Sequence, residues 1–154
     1  MPTAETAELP LADLTTRLEQ ARRDMGARTV MATDGSANLM GVVPTESQPE
    51  ASVLAALGAA NLAATSEIVR RMDERAADPR MVIVEYPGGH VLLSAGRSQI
   101  VFIAVLGADS PLGLARVEMA RLADIVWKDD RPKEDEDPSE EISRGLLSSL
   151  DQQI

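Results

Sequence analysis

The sequence predicts a mixed α/β (α+β) domain: a three-layer sandwich in which a five-stranded antiparallel sheet carries one long helix on one face and two helices on the other. Three observations predict it. Apolar residues recur at helical spacing in three separate stretches, around residues 11–25, 50–76 and 112–127. Short β-prone runs lie between them, joined by turns too tight for crossover helices, which implies antiparallel pairing. The middle helix has two apolar faces of different character, one aliphatic and one of alanines, so it needs something to pack against besides the sheet.

Residues 1–10 carry no strong pattern and read as a frayed N-terminus, so the domain is placed at 11–128. Leu11, Leu14, Leu18, Ala21 and Met25 share one helical face, and Gly26 is positioned to end that helix. Residues 28–33 form a strand around Val30 and Met31. Asp34-Gly35 signals a hairpin turn, because both residue types tolerate positive φ, and residues 38–43 are the returning strand. After the 44–49 loop, the long helix runs from about Glu50 to Ala76 and ends before Asp78-Pro79. Residues 80–86 and 90–95 are the next two strands, turned by Pro87-Gly88-Gly89. Residues 98–106, SQIVFIAVL, are the most continuous apolar run and read as a central strand buried on both faces. Asp109 or Ser110 caps a third helix, with Pro111 in its first turn, and Leu114, Val117, Leu122, Ile125 and Val126 supply its core side.

From Asp129 to Glu141 there are eight acids against Arg131 and Lys133. Such a run reads as a disordered linker. Beyond it, Ile142, Leu146, Leu147 and Leu150 fall at helical spacing, a short amphipathic segment closing an acidic tail at 129–154.

Composition narrows the function. The formal net charge of −10 opposes a sequence-independent grip on nucleic acid and electrostatic docking to anionic membranes. No apolar run reads as membrane-spanning, so no membrane insertion is expected. The N-terminus lacks the basic and apolar regions of a signal peptide, and a cytoplasmic location is the simple expectation. There is no cysteine and one histidine, His90, so neither a thiolate nucleophile nor a His-rich metal site is available within one chain. No Gly-x-x-x-x-Gly-Lys-Ser/Thr or Gly-x-Gly-x-x-Gly pattern occurs, and no cofactor is expected. His90 beside a Gly-Gly turn reads as a strand-edge residue, since a general base needs a positioned partner.

The long helix is the informative element. Leu54, Leu57, Leu62, Ile68, Val69 and Met72 make the aliphatic face, which is assigned to the sheet; Gly58, Asn61 and Thr65 are set among them. Ala56, Ala60, Ala63 and Ala64 make the second face. Alanines favour helix for their own sake, but they also permit close helix–helix approach. With only 2% aromatic residues to build a core, burial in an oligomer would help a domain of this size. These alanines are therefore assigned to a homodimer interface.

The order of elements, with the Val30–Gly35 hairpin, the Ala59-Ala60-Asn61-Leu62-Ala63-Ala64-Thr65 helix, the 87–89 turn and the 110–116 junction, resembles the Roadblock/LC7 family. Within it the plan is most similar to the MglB-type bacterial regulators of small Ras-like GTPases. The resemblance implies a homodimer with long helices side by side and with the 80–86 strand pairing with its copy, which adds Val82 and Val84 to the interface. It implies a small Ras-like GTPase as partner, activated without a catalytic residue from this chain. Glu67, Arg70 and Arg71, at the end of the long helix, become candidate partner contacts; the plainer account of the arginines is the helix dipole. The resemblance also admits a second role, a structural adaptor that scaffolds a larger complex without altering GTP turnover.

Overall fold

The computed structural model describes residues 8–129. The elements run β1 (Glu8–Pro10), a 3-10 turn, α1 (Leu14–Met25), β2 (Thr29–Thr33), β3 (Leu39–Val43), α2 (Gln48–Met72), β4 (Met81–Tyr86), β5 (Gly89–Ala95), β6 (Val101–Gly107), α3 (Leu112–Asp124) and β7 (Val126–Lys128). β2 to β6 form one antiparallel sheet in the order β3-β2-β6-β5-β4. The most apolar strand, β6, takes the central place, as its unbroken hydrophobic run demands. α1 and α3 cover one face and α2 the other, so the three-layer arrangement holds.

The α1/α3 side is a filled core. Leu14, Leu18, Ala21 and Met25 point into it from α1, and Ala115, Met119 and Leu122 from α3, closing over Val30, Leu92, Phe102 and Leu106. Gly26 ends α1 in the left-handed conformation (φ 66°), its N–H donating to the carbonyls of Arg22 and Arg23. Ser110 does not cap α3. Its hydroxyl donates to the Gly26 carbonyl at 3.0 Å, tying the loop before α3 to the end of α1, while Pro111 occupies the N-cap position. α3 is rotated from the expected setting: Leu114 and Val117 are exposed, and Ala115, Glu118 and Met119 are buried instead. Glu118 is kept ionically partnered by Arg121 at 2.8 Å.

Other expectations are corrected at the edges. Residues 8–10 are not frayed; they pair in parallel with β7, and Glu8 meets Lys128 at 2.8 Å. α3 stops at Asp124, and the chain turns into β7, which buries Trp127 in the core. α1 begins at Leu14 because Leu11–Asp13 form a 3-10 turn. α2 ends at Met72, where Asp73 takes an extended conformation. The first hairpin is longer than an Asp-Gly turn: the Asp34 carboxylate accepts the N–H groups of Ser36 and Asn38, both at 2.9 Å, and the left-handed residue is Ala37. The acidic run beyond Asp129 and the Ile142–Leu150 stripe lie outside the described residues.

Candidate functional site

The sheet face that α2 covers is already bulky. Met31, Val42, Leu93 and Ile103 rise from it, so a helix can approach only with small residues below. Ala51 and Ala55 meet that need and are fully buried, and Leu62 follows on the same face. Gly58 lies between them; a Cβ there would run into the side chains of Ile103 and Leu93. Glycine inside a helix costs roughly 1 kcal/mol against alanine. Here that cost goes with close contact between helix and sheet.

This overturns part of the sequence assignment: of the aliphatic set assigned to the sheet, Leu62 and the neighbouring Gly58 are buried, while Ala51 and Ala55, which the sequence reading placed on neither face, complete the buried side. Leu54, Leu57, Ile68 and Met72 do not reach the sheet; they are 42%, 62%, 58% and 82% exposed, and Val53 is exposed beside them. The volume already supplied by Ile103, Leu93 and Met31 explains the change: where Ala51, Ala55 and Gly58 lie, larger residues would hold α2 off the sheet. Leu54, Leu57, Asn61, Thr65, Ile68 and Met72 instead form an outward stripe with steps of three or four residues, the spacing of a helix–helix seam. Asn61 and Thr65 fall in its middle, and the Thr65 hydroxyl donates to the Asn61 side-chain oxygen at 3.5 Å.

α2 lies mainly over β2, β3 and β6. Gly58, on the flank nearest this stripe, faces Leu93 of β5, so the stripe borders the β5–β4 side of the sheet. There β4 is the edge strand, bonded on one side by β5 alone. On the α2 side of β4, Val82 is half-buried and Val84 and Tyr86 are about equally exposed, at 40% and 39%. An apolar edge of this kind is a template for pairing with another strand.

Ala56, Ala60, Ala63 and Ala64 are all exposed. Ala64 adjoins the aliphatic stripe, whereas Ala56, Ala60 and Ala63 lie on the far flank of the helix. That flank continues to Glu67, which pairs with Arg71 at 2.8 Å and with Arg70 at 3.7 Å; Arg70 also approaches Asp78 at 3.8 Å. All four side chains are substantially exposed, so each pair contributes only a few tenths of a kcal/mol. An arginine reaching toward a partner would first have to leave these pairs.

α2 also meets, by length and composition, the requirement for crossing a membrane: an 18-residue stretch within Pro49–Met72 has a mean hydropathy of 1.4, contrary to the sequence reading. One face of this helix is nonetheless packed on the sheet, and the apolarity left over is the outward stripe. His90 on β5 is half-buried opposite Glu85, with its Nδ1 unpartnered among the described residues. Among those residues no group of three or more His, Asp or Glu side chains could hold a metal ion.

Compared by sequence, no protein-family model and no curated protein matches the chain significantly. Compared by structure, it superposes on Myxococcus xanthus MglB with a TM-score of 0.67 at 18% identity, over 80% of this chain and 88% of that one. The fold is the Roadblock/LC7 fold. A Roadblock/LC7 domain from Streptomyces avermitilis matches with a TM-score of 0.63 at 18% identity, over 72% of this chain and 92% of that one. An MglB with a tetrameric arrangement matches with a TM-score of 0.65 at 21% identity, over 79% and 92% of the two chains. At such identities the shared property is the arrangement of sheet and helices, the Roadblock/LC7 arrangement that the hairpin, the long helix and the 110–116 junction suggested in the sequence.

Outward-facing Val53, Tyr86, Leu114 and Val117 were not among the residues that the sequence marked as exposed candidates. The usable signal was Gly58. A glycine flanked at helical spacing by Ala51, Ala55 and Leu62 marks the face of closest approach.

Proposed function

We propose that this chain is a homodimeric, non-catalytic regulator of a small Ras-like GTPase, acting in the cytoplasm, and that it raises GTP turnover by reshaping the GTPase rather than by donating a catalytic residue. The observation that carries this reading is the exposed aliphatic stripe of α2 beside the open edge of β4, on a fold shared with MglB structures. Leu54, Leu57, Ile68 and Met72 are too many large apolar residues to leave in water along one helix. Full burial of such a side chain from water contributes about 1.5–3 kcal/mol, and these partly covered residues would gain a share of that in proportion to their exposure. A second copy brings the same stripe, so a two-fold axis satisfies both at once.

In this dimer the centre of the helix pair is Leu57, Asn61, Ala64 and Ile68, while Ala56, Ala60 and Ala63 lie toward its outer surface. Val82 and Val84 join where the β4 edges meet. Glu67, Arg70 and Arg71 then border the surface offered to the GTPase, with their mutual ion pairs available for exchange. The test is GTP hydrolysis by the cognate GTPase with and without this protein. Accelerated turnover, lost in Ile68→Glu, supports activation. Tight binding with unchanged turnover would instead mark an adaptor.

A further inference from the structure

α3 has no stop signal of its own. α1 ends on Gly26 in the left-handed conformation, with its N–H closing the helix on the carbonyls of Arg22 and Arg23. α3 ends instead on Ile125, extended at φ −70° and ψ 132°, with one bond from its N–H to the Leu122 carbonyl at 3.2 Å. No glycine or proline lies between Asp124 and Lys128. The run Ile125-Val126-Trp127 suits a strand by side-chain shape. It also suits a helix by spacing, since Val126 continues the buried face of Met119 and Leu122.

What stops α3 is the ribbon that follows. β7 pairs in parallel with β1, apart from the main sheet, with Leu9 opposite Trp127 and Pro10 opposite Lys128. The hold is slight. Each strand has three residues, and a two-stranded ribbon is marginal even at greater length. Pro10 has no N–H to give to the ladder. The Glu8–Lys128 pair at 2.8 Å is exposed on both sides and contributes little. Burial of the Trp127 indole supplies most of the attraction, yet its Nε1 has no hydrogen-bond partner among the described residues. β7 also packs against the Arg97–Gln99 turn, where Ser98 and Gln99 both hold positive φ, 59° and 60°, backbone that residues with side chains rarely adopt.

A helical 125–128 would make bonds that the strand leaves open. Its N–H groups would reach the carbonyls of residues 121–124, the last turn of α3. Val126 would take the core side. Trp127 would move to the flank of Ala123 and Ala120, one and two turns back on the same face. Those alanines line a cleft of about 360 Å³ with Met81, Ala95 and Gly96. Side chains on a helix lean toward its N-terminus, so the indole would lie over that cleft.

We propose that residues 125–128 are a two-state segment governed by β1. Paired with β1 they are β7, with Trp127 in the core. Released from it they extend α3 by one turn and carry the indole to the Ala120–Ala123 cleft. β1 is thus a clasp, and a partner that captures the Glu8–Pro10 strand lengthens α3.

The test is nuclear magnetic resonance on the full chain, with β1 disabled by two routes. Leu9→Asp sets a charge opposite Trp127; Glu8→Gly/Leu9→Gly/Pro10→Gly removes the side chains of β1 and adds no charge. In both, the Cα shifts of Val126, Trp127 and Lys128 should move from strand to helical values. Indole protons should gain nuclear Overhauser contacts to the Ala120 and Ala123 methyls. Amide shifts of Val30 and Phe102 should stay near wild type, showing that the sheet remains folded. Strand shifts that persist at 126–128 in both variants would overturn the proposal, as would random-coil shifts there. Loss of the Val30 and Phe102 signals in both would overturn it too, because β1 would then be part of the core and not a clasp.

Discussion

The two faces of the sheet are finished to different degrees. On the α1/α3 side, Leu18, Met25, Phe102, Met119 and Leu122 are fully buried and leave a closed core. On the α2 side the contact layer is thin. Ala51, Ala55 and Gly58 approach the sheet with Leu62 buried on the same face, and Leu54, Leu57, Ile68 and Met72 of the same helix stay exposed. The first face secures the protomer. The second uses small residues to seat a helix whose larger surface is kept for something else. Placing bulk is therefore informative in both directions: bulk under a helix fills a core, and bulk on its outer side marks association.

That contrast can be broken most strongly at the finished face. Leu122→Ala should cost about 2–5 kcal/mol in protomer stability by chemical denaturation, because it opens a cavity among Leu18, Met119 and Phe102. Next comes the close approach of α2. Gly58→Val should cost about 1–3 kcal/mol, since its side chain would displace Ile103 and Leu93. Substitutions on the outward stripe should behave differently. Ile68→Ala, at a site 58% exposed, should change protomer unfolding by no more than about 0.5 kcal/mol, measured at a dilution where association is absent. A large loss there would mean that the stripe belongs to the protomer core after all.

The smallest expected effect lies on α1. Hydrogen bonds from Arg22 first, then Arg23, hold the Glu19 carboxyl down to about 2, partly offset by desolvation. Its folded value is below the unfolded one, so the contribution is present above about pH 4.3 and is lost as pH falls toward 2. Glu19→Gln should therefore lower stability slightly above about pH 4.3 and leave it unchanged near pH 2, which flattens the acid limb; the effect is small because exposed pairs contribute little.

The sheet was legible because its signals are local. The apolar run within 98–106 marks a central strand, although Ser98 and Gln99 belong to a 3-10 turn and the strand is Val101–Gly107; Gly26 marks a helix end, and the 87–89 turn marks a hairpin. Helix boundaries shifted where the chain needed a second use for the same residues, as when Trp127 left α3 to pair through β7 with residues 8–10. The faces of α2 were misassigned for a different reason. Periodicity finds two stripes, but the height of Ile103, Leu93, Met31 and Val42 on the opposing strands selects a third face, with Ala51, Ala55, Gly58 and Leu62. The setting of α3 failed in the same way, with Leu114 and Val117 turned out and Glu118 turned in beside Arg121. The pairing of Glu67 with Arg70 and Arg71 was open to reading from their i, i+3 and i, i+4 spacing.

The most direct test of the account is the solution mass of the full chain by size-exclusion chromatography with light scattering, for wild type, Leu57→Glu/Ile68→Glu and Ala60→Glu. Wild type should have twice the 16.5 kDa chain mass, the double variant should fall to 16.5 kDa while retaining its helical spectrum, and Ala60→Glu should have the smaller effect. A monomeric wild type, or a dimer that survives Leu57→Glu/Ile68→Glu but dissociates with Ala60→Glu, would contradict the account.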